Sequence, residues 1–204
     1  MPQARSSAQP HDGLTTRQRR HRPVLAVHTG QGKGKTTAAM GTALRAWAQG
    51  WDVGVYQFVK SGRWRVGEQT ALTALGELHR TTGQGGPVTW EVMGTGWSWA
   101  RSFDAQADPQ AAAREGWRHV ADLLARHGHD FYVLDEFTYP LVWGWIDLDE
   151  VIATLAGRPG TQHVVITGRD APAALVEAAD LVTTMTKTTH PFDSGQRGQA
   201  GIEW

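Results

Sequence analysis

Gly30, Gly32, Lys33, Gly34, Lys35 and Thr36 crowd into one stretch, HTGQGKGKTTAAMG, which runs from His28 to Gly41. Glycines permit a tight turn with positive φ and let backbone N–H groups close on an anion. A helix opening at Lys35 would add the positive end of its dipole. Lys35 can neutralise phosphate charge, and Thr36 can offer its hydroxyl to Mg²⁺. The chemistry these residues support is the gripping of a polyphosphate. The usual phosphate-loop pattern has glycine where Thr29 stands, and Lys33 is an extra cation shortly before Lys35. A glycine-rich turn without a ligand is the alternative, and a strand–turn–helix context counts against it.

Such a loop works with an acid at the end of another strand. The run FYVLDE supplies four apolar residues and then Asp135 and Glu136. A carboxylate there can hold Mg²⁺ directly or through water. An exposed turn would also end in two acids; combined with the loop, a Mg²⁺–nucleoside triphosphate site is the reading favoured by the residues alone.

Further candidates follow other strands. Trp97 and Trp99 stand two apart behind Gly94 and Gly96. In an extended segment they point the same way and form a flat apolar wall, for a ligand or for the core. Arg169, in VVITGRDA, is expected to end the fifth strand at the edge of the site, where a surface turn would also carry an arginine. Glu68 opens a helix, where the dipole favours an acid. His28 reads as a strand-end residue, and nine histidines without paired ligand spacing give no zinc signal.

The elements that must position these residues alternate along the chain. Strands are expected at PVLAVHT, DVGVYQFV, VTWEVMG, FYVLDE, QHVVITG and DLVTTMT. Helices are expected at KTTAAMGTALRAWAQG, with Gly50 as its stop, at GEQTALTALGELH, from Pro109 to His127, at LDEVIATLA and at APAALVEAA. TGWSWARSFDAQAD and the closing HPFDSGQRGQAGIEW read as loops. Alternating strands and helices predict an α/β fold: a mostly parallel six-stranded sheet with helices on both faces. Ligands bind such sheets outside the carboxyl ends of the strands, where the candidates converge.

Composition sets the bounds. The 204 residues suffice for one domain, 23–204, preceded by a polar tail, 1–22, that ends in a basic cluster. The tail is expected to be flexible, or to fold as an arm onto a partner subunit. Net charge is zero, which gives no electrostatic case for nucleic acid or membrane. Cysteine is absent, so thiol chemistry and disulfides are excluded. With no apolar run of the ~20 residues that cross a bilayer and no secretion signal, a cytoplasmic location is expected.

HTGQGKGKTTAAMG, VMGTGWSW, VLDEFTYPLVWGW, GRPGTQHVVITGRDAP and HPFDSGQRGQAGIEW together resemble the ATP:corrinoid adenosyltransferases of the cobalamin pathway. The resemblance runs from about Val24 to Trp204. It implies a RecA-like P-loop fold and transfer of the 5′-deoxyadenosyl group of ATP to cobalt(I) of a corrinoid, either cob(I)yrinic acid a,c-diamide or cobalamin. Inorganic triphosphate would leave. It implies ATP held in reverse by Gly30, Gln31, Gly32, Lys33, Gly34, Lys35, Thr36, Thr37 and Arg169, with Lys35 and Thr36 at the chemistry. Mg²⁺ would sit at Thr36, Asp135 and Glu136, and Glu68 would be a further site residue.

By the same resemblance, Trp97 and Trp99 would displace the lower axial ligand of the corrinoid and so ease reduction to cobalt(I) by a reduced flavoprotein or flavin. Trp97 departs from the family's commoner phenylalanine. A homodimer is also implied. Thr184, Thr188 and Thr189 depart from the family's residues before HPFD, so contacts there are not carried over. A RecA-like ATPase or kinase would release ADP or orthophosphate instead, and a nucleotide-binding module would bind ATP without turnover.

Overall fold

The computed structural model describes residues 15–16, 20–59, 66–94 and 108–203. Six strands form the sheet: Leu25–Thr29 (β1), Val53–Gln57 (β2), Val88–Val92 (β3), Phe131–Asp135 (β4), His163–Thr167 (β5) and Leu181–Thr184 (β6). Their order is β3-β2-β4-β5-β1-β6. Every pairing is parallel, so the sheet is wholly parallel rather than mostly so. β5 lies between the strand that feeds the glycine loop and the strand that carries the acids.

The helices are Lys35–Ala48 (α1), Gly67–Thr82 (α2), Pro109–Ala125 (α3), Thr138–Val142 (α4), Leu148–Gly157 (α5) and Ala173–Ala178 (α6). In α1 the residues Ala39, Met40, Ala43, Ala46 and Trp47 are buried. That spacing makes one apolar stripe. Gly50, at φ 80, follows the helix as the expected left-handed stop. Asp108 caps α3 by accepting from the N–H groups of Gln110 and Ala111 at 3.0 and 2.9 Å, and Pro109 fills the first position, where no N–H is required. Helix α4 falls in a stretch with no sequence expectation. Pro140 sits in its first turn, where a missing N–H costs nothing. The closing loop includes a 3₁₀ turn at Pro191–Ser194.

Strand residues alternate between two cores. Leu25, Val27, Tyr132, Leu134, Val164 and Ile166 pack with α3, α5 and Leu175 of α6 on one face. Ala26, Val53, Val55, Phe131, Val133 and Val165 pack with α1 and Leu72 of α2 on the other. Helices thus cover both faces, as the alternating pattern predicts. Each fully buried valine, leucine or isoleucine contributes about 1.5–3 kcal/mol relative to exposure, so the central strands are anchored from both sides. This rigidity fixes the strand ends that carry the polar residues.

Candidate active site

The glycine loop leaves the carboxyl end of β1 and turns into α1. Gly34, at φ 105, stands before the first helical residue, Lys35, and the first turn of α1 carries no acid. An anion there meets unpaired N–H groups and the positive end of the helix dipole. The loop lies tight against the chain that leaves β6. Gly32 N–H donates to the Met185 carbonyl at 2.7 Å. A Cβ on Gly30 would come within 2.5 Å of that carbonyl, and one on Gly32 within 2.8 Å. Gly30 also has φ +93. Contact therefore excludes a side chain at both positions, and at Gly30 the conformation excludes it as well.

Lys35 turns its ammonium into the loop and donates to the carbonyls of Gly30 and Gly32, each at 2.7 Å. Burial lowers its pKa below the ordinary 10.5; the positive charges of Arg169 and Lys33 push the same way, while Glu136 and Asp170 oppose them. Three cations thus converge from the loop and the end of β5, an arrangement suited to a polyanion. Lys33 is paired with Glu203 of the closing segment. Gln31 donates to Asp170 at 2.8 Å, which ties the loop to the turn after β5. Thr37 is exposed in the first turn of α1.

The acid pair completes the site from β4. Asp135 is fully buried. Its Oδ1 accepts from the Thr36 hydroxyl at 2.7 Å and the Thr167 hydroxyl at 2.8 Å; its Oδ2 accepts from the Gln57 amide at 3.1 Å. Thr167 also accepts from the Glu136 N–H at 3.0 Å. Glu136 has φ 59, a left-handed conformation costly for a residue with a Cβ. The strand end is thereby turned sharply, held by a buried threonine from β5. Thr138 donates to the Arg169 carbonyl at 2.7 Å and fixes the turn that presents Arg169. Burial pushes the Tyr139 hydroxyl up to about 12, and the Glu136 charge adds to it.

Gly30 to Thr37, Asp135, Glu136 and Arg169 are therefore gathered at the carboxyl ends of β1, β4 and β5. Glu68 is half-buried in the first turn of α2. Trp97 and Trp99 lie outside the described residues. Gln57, Thr167, Thr138, Met185 and Glu203 also join the site, beyond the residues expected from the sequence. Gln57 and Thr167 carried a usable signal: each is a polar residue that closes a strand directly after an apolar run.

Oxygen donors suit Mg²⁺, which takes few protein ligands and fills its shell with phosphate oxygens and water. The hydroxyl of Thr36 beside the carboxylate of Asp135 is such a donor set. Among the described residues no three His, Asp or Glu side chains form a cage that would hold an ion without phosphate. No helix among them is long and apolar enough to cross a membrane.

A family model described as ATP:corrinoid adenosyltransferase BtuR/CobO/CobP matches residues 21–204. The corrinoid adenosyltransferase of Escherichia coli K12 is 40% identical over 183 residues, 90% of this chain and 86% of that protein. The corrinoid adenosyltransferase CobA of Salmonella typhimurium is 39% identical over 193 residues, 95% of this chain and 91% of that one. The corrinoid adenosyltransferase of Pseudomonas aeruginosa is 40% identical over 186 residues, covering 91% and 86%. The phosphate loop, the buried acid that its threonine meets and the parallel sheet that joins them are those of a chain that belongs to the ATP:corrinoid adenosyltransferase family.

Proposed function

We propose that this chain transfers the 5′-deoxyadenosyl group of ATP to the cobalt(I) of a corrinoid, in the making or salvage of adenosylcobalamin, and releases inorganic triphosphate. The observation that carries the site assignment is the 2.7 Å hydrogen bond from Thr36 to Asp135 beneath a loop where three cations converge. Attack at the ribose C5′ expels a highly charged leaving group. The loop N–H groups, Lys33, Lys35 and Arg169 hold that charge in a partly water-excluded place, where fixed donors act most strongly. Lys35 has two N–H donors on loop carbonyls, which fix its head and leave the third for an oxygen of the triphosphate. Thr36, Asp135 and Glu136 would hold Mg²⁺, which when bound offsets negative charge on the phosphate oxygens.

No protein nucleophile is required, because cobalt(I) is itself a strong one. The enzyme's task is then to place C5′ and cobalt in line, which removes much of the entropic barrier. ATP lies in reverse, with its triphosphate end in the loop and its ribose outward. Displacement of the lower axial ligand is assigned to Trp97 and Trp99, so that a reduced flavoprotein or flavin can deliver the electron. Glu68 is assigned to the same site. The unit is residues 23–204, working as a homodimer in the cytoplasm, with 1–22 as a tail or an arm over the partner.

The test is anaerobic. Purified protein is mixed with chemically reduced cob(I)alamin, Mg²⁺ and ATP, and the spectrum and phosphate products are followed. The expected outcome is light-sensitive adenosylcobalamin with stoichiometric triphosphate. ADP or orthophosphate without a new corrinoid spectrum would mean ordinary phosphoryl transfer.

A further inference from the structure

Gln57 closes β2 and is fully buried. Its amide nitrogen donates to Asp135 Oδ2 at 3.1 Å. Its carbonyl oxygen, Oε1, is buried without a hydrogen-bond partner. Turning the amide over would set two acceptors, Oε1 and Oδ2, against each other, so Asp135 fixes which end of the amide is left over. Two other buried side-chain atoms among the described residues share this state, the indole nitrogens of Trp47 and Trp90. Both indoles pack in or against the apolar core on the α1 and α2 face. Only Gln57 has its orphaned atom on a side chain bonded to Asp135.

A buried acceptor without a donor is costly, and one on a side chain bonded to Asp135 calls for an explanation. Asp135 itself is already met by Thr36, Thr167 and Gln57. A donor arriving with the substrates therefore finds its acceptor on the amide. The group that brings O–H donors to this place is the hydration shell of Mg²⁺, which the ion gives up reluctantly.

We propose that Gln57 is a positioning residue of the adenosyl-transfer site: its amide nitrogen holds Asp135, and its free carbonyl accepts a hydrogen bond from a water of the Mg²⁺ that enters with ATP. The inference rests on the Mg²⁺–ATP reading above. Gln57 touches neither ATP nor the reacting carbon; it acts through Asp135 and the hydrated ion. Groups that hydrogen-bond to an ion's ligands and waters tune its affinity and orientation.

The experiment is calorimetric titration of the full chain and its Gln57→Leu variant with ATP, once with Mg²⁺ and once with EDTA. Leucine nearly matches glutamine in size and removes both polar ends. Wild-type affinity should depend on Mg²⁺. The variant should lose roughly tenfold in Mg²⁺, the size of one charge-assisted hydrogen bond, and less than about twofold in EDTA. Equal loss in both conditions, or loss in neither, overturns the proposal.

Should Gln57→Leu not fold, as judged by circular dichroism, Gln57→Asn keeps both polar ends but withdraws them by one methylene. It should show the same Mg²⁺-specific loss at smaller amplitude, and a loss that is equal with EDTA overturns the proposal. A wild-type protein whose ATP affinity ignores Mg²⁺, or that forms no adenosylated corrinoid, would instead sink the reading on which the inference stands.

Discussion

Two buried polar networks lie at opposite ends of β2 and β4, and they differ in whether they are closed. At the amino ends, His129 Nδ1 meets Asp52 Oδ1 at 2.6 Å and Nε2 meets the Tyr56 hydroxyl at 2.7 Å. The carboxylate fixes Nδ1 as a donor, so Nε2 accepts from Tyr56, whose phenol burial keeps protonated. His129 N–H donates to the Tyr132 hydroxyl, which donates to Gln162 Oε1. The Gln162 amide in turn donates to the carbonyls of Leu124 and Pro159. Both polar ends of Gln162 are matched. At the carboxyl ends, the network around Asp135 is met from three sides but leaves Gln57 Oε1 over. Closed networks fix a fold. The one beside the glycine loop leaves a single acceptor for a donor to meet.

The largest effect should separate the two ends at once. Asp135→Asn keeps the volume but loses the charge that faces Thr36. Turnover should fall by about a hundredfold or more, with the melting temperature moving by less than about 3 °C. Steady-state assay with reduced cob(I)alamin and thermal denaturation check it. A variant that keeps its rate would remove Asp135 from the chemistry.

His129→Ala should do the reverse. It strips Asp52 and Tyr56 of a partner, leaves the backbone N–H that Tyr132 accepts, and opens space over Gly54, where a Cβ would lie 2.5 Å from the imidazole. The expected cost is about 2–4 kcal/mol in stability, with kcat/KM of the folded fraction within about twofold of wild type. Denaturant unfolding and the same assay read both quantities. A rate loss comparable to that of Asp135→Asn would mean that the two ends are not independent.

The sequence made one of these networks legible and hid the other. The glycine loop, Asp135 and Glu136 sit at local signals: glycines between a strand and a helix, acids after an apolar run. The six strands and five of the six helices could be read the same way, because alternating apolar runs leave little choice in an α/β chain. Helix α4 was missed because it is a single turn containing Pro140, with no apolar period to detect.

Gln57 and Thr167 were missed because their partner is far along the chain. Gln57 is 78 positions from Asp135, and Thr167 is 32 from it. Only the strand order β2-β4-β5 brings them together. The pairing of Lys33 with Glu203 is likewise a consequence of where the closing segment folds, which no local pattern encodes.

The smallest predicted effect is also the sharpest test, because it sets adjacent residues against each other. Tyr56 and Gln57 point to opposite sides of β2, so one serves the amino-end network and the other the carboxyl-end one. Tyr56→Phe keeps the ring among its buried neighbours and removes only the hydroxyl. His129 Nε2 then loses its donor, which costs about 1 kcal/mol, a fall of roughly 2–4 °C in melting temperature. ATP affinity with Mg²⁺ should not change, whereas Gln57→Leu, one residue on, should lower it. If Tyr56→Phe weakened Mg²⁺–ATP binding as Gln57→Leu does, the effect would come from disturbing β2 as a whole, and the orphaned carbonyl would lose its special standing. If it leaves binding intact while lowering stability, then a single peptide bond separates a residue that holds the fold from one that prepares the site.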